Sequence, residues 1–489
     1  MWVRQDKQTV LRRLAEGATI QTIVPRANGA LEELVALSAE LETFAMLDAL
    51  EVRRERRGIP DSLLLHTLAV LPFLADGSLQ GSAQSVFSEP AILVLLGYAP
   101  IALEEGMSAR HRHKAGKTGE SIPLHSDTLR DELARLSAAE WEHLQEERLR
   151  VLYAKRLIRS TKVVVDGSGL GEGERLVTLS ALTGHGLIPL VWEYLTGDAS
   201  EKGKEATVTR KLVERVRKVG GPQAITLLLA DAFYADGPFL AWLQASGTDG
   251  VVRLPEDRLL FAEGLQVIQL EGDHWEKRRQ TRTLDGHKET RTVEVAVAHE
   301  LTEWDSYQAK AKELGIAAAK LTVSFVRQVE PAIPAEKATL ALVSTKEWAQ
   351  AWQTYEAYRP RWWIENAGFN ELKEGWLLER YPWGRSEAIV RGRVGFTLLA
   401  QQVVALYCQA AGRQLVGYGI RRLRRALNLA LGGPGMVVVI DECYAVLHAE
   451  ELLAALGHPV TQSLRRAITL PLAKGREGVS RPTTGGVCP

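Results

Sequence analysis

Apolar residues recur at three- and four-residue spacing over the first third of the chain. The runs Leu31–Leu50 and Thr128 onward both carry this period, the second introduced by Ser126-Asp127. Both are predicted as amphipathic helices, with an N-cap at Ser126-Asp127. Between them lie a Gly/Ser-rich stretch near Gly77–Ser85 and a His/Lys-rich loop from Ser108 to Ser121. The period changes near residue 161. Lys162-Val163-Val164-Val165-Asp166 is a β-branched run, and Leu176–Leu182 and Gly186–Tyr194 are two more apolar segments, together predicting three consecutive strands. Ala206–Val219 has helical periodicity and ends at Gly220-Gly221-Pro222. Ile225–Asp231 is apolar on both faces, the mark of a central strand. A helix over Gly237–Gln244 and a fifth strand over Asp249–Leu254 follow. The predicted fold class is α/β: a mixed sheet that opens with a meander and is flanked by helices.

From about 256 to 355 the texture becomes β-rich, with alternating segments at Thr290–Ala298 and Leu321–Val326 and a hairpin signal at Asp285-Gly286. Pro360 to about Leu378 is predicted as one long helix with proline in its first turn. Helices continue to about Leu431, Met436–Ile440 is predicted as a strand, and a helix begins near Ala449. The organisation expected is a helical region over 1–155, a catalytic core over 156–255 and 356–410, a β-rich insertion over 256–355, and a C-terminal region over 411–489. The Gly/Pro/Thr-rich tail from about 475 is predicted to be disordered.

Composition narrows the function classes. The chain has 489 residues, 60 basic and 60 acidic, with 46% hydrophobic. Zero net charge argues against coating nucleic acid by bulk charge but leaves local basic grooves open. No apolar run reaches the about 18 residues that span a bilayer, and the first residues turn charged too early for a secretory signal, so a cytoplasmic, nucleoid-associated protein without a membrane partner is expected. Cys408, Cys443 and Cys488 are too scattered for a disulfide scaffold or a zinc site. Ala115-Gly116-Lys117-Thr118 lacks the first glycine of a phosphate loop, since His111 stands there, and nucleotide binding is not expected. Val437–Glu442, similar to the acidic strand of an ATPase, lacks the partner loop and is predicted as a buried strand. His111 and His113 are expected to be polar loop residues. Trp275, Trp304, Trp348 and Trp352 are expected chiefly in packing, with base stacking the alternative.

The chemistry rests on carboxylates. Asp166 ends the first core strand and Asp231 the central one, the sheet edge where ligands bind in such folds. Two acids at adjacent strand ends suit Mg²⁺, and a pair of such ions can stabilise both the attacking and leaving oxygens of phosphoryl transfer. Glu365, on the long helix, is the candidate third acid.

Tyr358-Arg359-Pro360-Arg361-Trp362-Trp363-Ile364-Glu365 through Lys373 resembles the Y-x2-R-x3-E-x6-K signature of bacterial insertion-sequence DDE transposases, cut-and-paste enzymes with a ribonuclease-H-like core. Val163-Val164-Val165-Asp166-Gly167 and Leu229-Ala230-Asp231-Ala232-Phe233-Tyr234 fit that family's first and second acid contexts. The spacings of 65 (231 − 166) and 134 (365 − 231) residues leave room for its insertion. The resemblance covers about residues 160–380. It implies that Asp166 bridges two Mg²⁺ ions (Mn²⁺ substituting), that Asp231 and Glu365 hold one each, and that Tyr358, Arg361 and Lys373 grip phosphates. It also implies double-stranded DNA as partner, a hairpin step, and a homodimer that synapses two ends. Helical spacing places 358, 361 and 365 on one face, with Arg361 able to orient Glu365. Seven residues rather than six separate Glu365 from Lys373, so a π-bulge near Gly368 is expected to absorb the extra one. Arg421, Arg422, Arg424 and Arg425, in a stretch 411–430 that also holds Arg413 and no acid, are candidates for DNA binding together with the N-terminal helices. Further basic groups lie at Arg53, Arg54, Arg56 and Arg57 and at Lys277, Arg278, Arg279 and Arg282. The rival readings are a nuclease of the same fold and an inactive, domesticated DNA-binding protein.

Overall fold

The computed structural model describes the chain except residues 1–2, 26–28, 51, 53–59, 75–77, 80–85, 87–89, 99–125, 172, 185, 201–203, 273, 285–286, 318, 330–338, 349, 381–382, 411–418, 432–434 and 458–489. The His/Lys loop with His111 and His113, Arg53, Arg54, Arg56, Arg57, the Asp285-Gly286 turn, Arg413, Cys488 and the tail beyond 475 lie outside the described residues, as does most of the Gly77–Ser85 stretch.

Two compact units are present, one of Leu152–Asn370 and one combining Met1–Val151 with Glu371–Pro482. The first is built on a nine-stranded sheet. Its strands are β1 (Lys162–Gly171), β2 (Glu174–Thr183), β3 (Gly186–Thr196), β4 (Leu227–Ala230), β5 (Asp249–Leu254), β6 (Glu276–Leu284), β7 (His287–Leu301), β8 (Leu321–Val329) and β9 (Thr339–Ser344). The order across the sheet is β3-β2-β1-β4-β5-β9-β8-β7-β6. β1, β4 and β5 are mutually parallel, and the remaining neighbours are antiparallel. This is the mixed, helix-flanked sheet of a ribonuclease-H-like domain. The core is the strands' own apolar sequence: Val163, Val164, Val165, Leu228, Leu229, Val251 and Val252 are fully buried. Helix Glu205–Gly220 turns Leu212, Val213 and Val216 inward and contacts β1, β2 and β3. It stops where Gly221 adopts φ +87°, a left-handed turn that favours glycine.

The segment 256–355 contributes β6–β9 to the open edge of this same sheet, together with helices Leu259–Leu270 and Asp305–Glu313. Leu284 pairs with His287. β4 is shorter than its apolar run, so Asp231 lies one residue beyond the strand. The single long helix expected from Pro360 is divided. Helix Ala351–Tyr358 gives way to a 3-10 turn at Arg359–Arg361, then to a π-helix at Ile364–Gly375. Pro360 breaks the donor series, and the wider turn shows in the i→i−5 bond from Trp376 N to the Glu371 carbonyl, 3.0 Å. The π character is thus more extensive than one bulge at Gly368.

In the second unit helix Glu387–Ala410 is almost wholly buried. Among the described residues it alone is long and apolar enough to cross a membrane by length and composition; its burial within the fold is that of a core helix. Arg148, fully buried, donates to the Leu41 carbonyl (2.6 Å), Gln402 Oε1 (3.1 Å) and Thr43 Oγ1 (3.3 Å). Gly395 permits close packing, since a Cβ there would stand 2.4 Å from the Trp141 ring. Gly395→Ala is expected to cost about 1–3 kcal/mol through overpacking, read as a lowered urea midpoint; an unchanged midpoint would show that the Trp141 contact is slack.

The N-terminal region is not wholly helical. Arg4–Gln5 and Thr22–Pro25 are strands, paired with Cys443–His448 and Gly435–Ile440 in a small sheet. Short strands whose partners lie over 400 residues away leave no local signal. Helices Lys7–Ala15 and Ala449–Ala455 cover a core containing Val10, Leu14, Val438, Ile440 and Leu447. Asp441-Glu442 forms the hairpin between two of these strands, and Asp441 pairs with Arg13 at 2.8 Å.

Candidate active site

Register brings the two aspartates together. β1 and β4 pair Lys162 with Leu227, Val163 with Leu228 and Val164 with Leu229. Continuing this offset of 65 residues carries Asp166 to Asp231. Asp231 keeps an extended backbone (φ −81°, ψ −173°). The two side chains therefore stand at the same level and on one face of strands about 4.8 Å apart, Asp231 just past the end of β4 but Asp166 in the middle of β1, which runs on to Gly171 in its pairing with β2 rather than ending at the aspartate as its β-branched run suggests. Asp166 Oδ1 accepts from its neighbour Gly167 N at 2.8 Å, and Asp231 Oδ1 accepts from Phe233 N at 2.9 Å. Each carboxylate is thus tied to a peptide that closely follows it.

Crowding makes both acids reluctant to ionise. Asp166 is 7% exposed, and burial first, then the charge of Asp231, pushes its carboxyl up to about 7, against the opposing pull of Arg361 and Gly167 N–H. Asp231 is raised by burial, with Glu205 and Glu365 adding to the effect while Phe233 N–H and Arg361 oppose it.

Arg361 joins the third acid to this pair. Only 4% exposed, it donates from Nη2 to Glu365 Oε1 at 2.7 Å and places Nη1 3.6 Å from Asp166 Oδ2. Among the described residues its Nε and Nη1 find no hydrogen-bond acceptor. Tyr358 packs its ring 5.6 Å from the guanidinium carbon and is 1% exposed, so it supports the arginine from within the core. Lys373 pairs with Glu379 at 2.8 Å. Of the C-terminal arginines, all on helix Ile420–Leu431, Arg421, Arg422 and Arg425 are exposed. Arg421 also donates to the Glu374 carbonyl. Arg424 is half-buried, with Nη2 3.5 Å from the Pro72 carbonyl oxygen.

Three residues to which the sequence analysis gives no role lie close by, two of them, Glu205 and Arg175, against the face of β1 opposite Asp166. Glu205, 2% exposed, pairs with Arg175 at 2.7 Å, and Tyr234, fully buried, has its hydroxyl held protonated by burial and by the charge of Asp166. The only sequence signal for the ion pair is Gly167-Ser168-Gly169, a strand lacking side chains at alternate positions, which invites a neighbour to fill the space.

Carboxylates suit a hard divalent cation, and the mutual crowding of Asp166 and Asp231 is what such a cation would relieve. Among the described residues no three acidic, His or Cys side chains converge at metal-binding distance, and Arg361 stands between Asp166 and Glu365. The residues fit a divalent ion through the two aspartates, with Glu365 held beside them by Arg361.

Residues 182–400 match the family model described as the transposase DDE domain. No curated protein matches the chain. The matched span includes Asp231, Tyr358, Arg361, Glu365 and Lys373, and Asp166 precedes it on the strand adjacent to Asp231. Proteins with this domain act on DNA and generally use divalent metal ions. This sheet and this match over residues 182–400 support an insertion-sequence DDE transposase.

Proposed function

We propose that the protein cleaves DNA at the ends of its own mobile element and joins the released strands to a target, with Asp166, Asp231 and Glu365 as the catalytic carboxylates. The observation that carries this reading is the convergence of the first and third acids on Arg361, beside a second acid brought level by strand register. These carboxylates would hold magnesium, or manganese in its place, which would supply charge neutralisation at the attacking and leaving oxygens. The chain's own contribution is positioning. Arg361 holds Glu365 and faces Asp166, so its positive charge sits beside the place where the transferring phosphate would bind. Tyr358 keeps that guanidinium in place. Water attacks at the element end, and the 3′-hydroxyl so released attacks next, either on the opposite strand to close a hairpin or on target DNA. No covalent protein intermediate is needed. A homodimer would hold two ends together.

The experiment is a cleavage and joining assay in Mg²⁺, on a plasmid carrying the coding region and the DNA on either side of it. Ends released with 3′-hydroxyls that become joined to a second plasmid support the transposase reading. Cleavage without joining supports a nuclease, and binding alone an inactive DNA-binding protein.

Helix Ile420–Leu431 is proposed to contact the DNA backbone through Arg421, Arg422 and Arg425, whose exposure suits phosphate contacts, while half-buried Arg424 supports the helix. Changing the three exposed arginines to Ala is expected to flatten the slope of log K against log salt by up to about 3, read by fluorescence anisotropy. An unchanged slope would remove this helix from the interface.

A further inference from the structure

The face of β1 opposite Asp166 carries no side chain where one is due. Gly167 pairs with Val177 and Gly169 with Arg175, so these four positions share that face. The space is filled by the Arg175–Glu205 ion pair, Nη1 to Oε1 at 2.7 Å, with Glu205 buried and Arg175 partly so. A Cβ on Gly167 would stand 3.2 Å from Glu205 Cγ and 3.5 Å from Arg175 Nη1. Gly167 therefore lies against the pair on one side, and its N–H donates to Asp166 Oδ1 on the other. Glu205 also opens helix Glu205–Gly220, and its charge reaches Asp231.

Apolar side chains would fill this space at lower desolvation cost than two charges. What the pair does that apolar residues would not is place a fourth negative charge behind the aspartates while fixing the peptide that orients one of them.

We propose that Glu205, clamped by Arg175, is a positioning residue for the metal-binding aspartates: it holds the Gly167 peptide in register with Asp166 and adds negative charge that strengthens cation binding. This inference rests on the proposed role of Asp166 and Asp231. Gly167 is then required to be glycine because the pair occupies its Cβ space.

The test measures Mn²⁺ binding to the full-length protein without DNA, by isothermal titration, alongside turnover at saturating Mn²⁺. Glu205→Gln keeps an acceptor for Arg175 but removes the charge, and is expected to weaken Mn²⁺ binding about 3- to 10-fold, each tenfold being about 1.4 kcal/mol. Glu205→Asp, which restores the charge, is expected to recover most of the affinity. Gly167→Ala is expected to lower turnover at saturating Mn²⁺ by displacing the peptide that holds Asp166. If Glu205→Gln does not fold, the double variant R175M/E205M replaces the pair by apolar groups of similar length; it removes both charges but also the clamp on the Gly167 peptide, so a lowered turnover at saturating Mn²⁺ is expected, and unchanged turnover would overturn the inference. Wild-type Mn²⁺ affinity in folded Glu205→Gln would overturn the inference, as would equal losses in Glu205→Gln and Glu205→Asp. Asp166→Asn and Asp231→Asn are measured in parallel. If they too leave Mn²⁺ binding unchanged, the active-site reading itself fails; if they abolish it while the Glu205 variants do not change it, only the positioning role is lost.

Discussion

Asp231→Asn, and separately Glu365→Gln, are expected to reduce strand cleavage by about 10³-fold or more while leaving the fold and DNA binding in place. Each substitution is nearly isosteric. The asparagine amide would keep an oxygen for Phe233 N, which now donates to Asp231 Oδ1 at 2.9 Å. The glutamine amide would likewise keep one for Arg361 Nη2, which now donates to Glu365 Oε1 at 2.7 Å. What is lost is a negative charge facing a divalent ion. Metal stabilisation of the transferring phosphoryl oxygens is worth several kcal/mol, and each 1.36 kcal/mol is about tenfold in rate, which sets the expected scale. DNA binding is expected to hold or tighten slightly, because an acid near the phosphate backbone has been neutralised. The assay is end cleavage in Mg²⁺, with anisotropy for binding and circular dichroism for the fold. A loss below about tenfold for either variant would remove that residue from the metal site. Arg361→Lys gives a complementary readout: lysine keeps the charge but not the planar fork, so it is expected to release Glu365 from its present position and lower turnover more than affinity.

How legible this site was in the sequence follows from what each residue depends on. Asp166 and Asp231 close β-branched and apolar runs, and their shared level is encoded in the 65-residue offset, which matches the register of β1 with β4. Arg361 and Glu365 are four apart, and that spacing alone gives their contact. Local period carried these assignments. Glu205 and Arg175 carried no such signal: their pairing depends on helix Glu205–Gly220 crossing the Gly167 face of β1, a tertiary fact, and an acid opening a helix is ordinary by itself.

The same division holds for the fold. Asp249–Leu254 was legible as a strand to the residue because it is a buried run bounded by polar and proline positions. The four strands of 256–355 were less so, since alternation indicates a strand without naming its neighbour, and β9 returns to pair with β5 some 90 residues earlier in the chain, Ser344 lying opposite Val251. Arg4–Gln5 and Thr22–Pro25 are held in a sheet only by partners at the far end of the sequence. In the Glu365 helix, the extra residue before Lys373 did signal irregular winding. The extent of the π-helix over Ile364–Gly375 did not follow from composition, and Lys373 faces Glu379 rather than any group the signature would suggest.

The second large effect is one of stability. Without divalent metal, Asp166→Asn is expected to stabilise the protein at pH 8 by about 2–4 kcal/mol and to change little at pH 4. In the folded chain burial and the neighbouring Asp231 push the Asp166 carboxyl up to about 7, from an ordinary 3.8. A folded-state value raised in this way means that the native protein retains a proton the unfolded chain has released. Stability from this group is therefore full below about 3.8 and is lost as pH rises through about 7. A displacement of about three units corresponds to roughly 4 kcal/mol at most, and part of it is shared with Asp231. Asparagine has no charge to bury and keeps an oxygen for Gly167 N. Urea midpoints in EDTA at pH 4 and pH 8 measure the difference. Adding Mn²⁺ at pH 8 should then close the gap, because a cation bound only by the native wild-type site stabilises it by about 4.1 kcal/mol at a thousandfold excess over Kd, whereas the Asn variant gains less. If Asp166→Asn is no more stable than wild type at pH 8 in EDTA, the carboxylate is not strained in the fold. A site that stores no repulsion would then have less to gain from the metal, and the charge crowding behind the proposed chemistry would have to be sought elsewhere on this sheet edge.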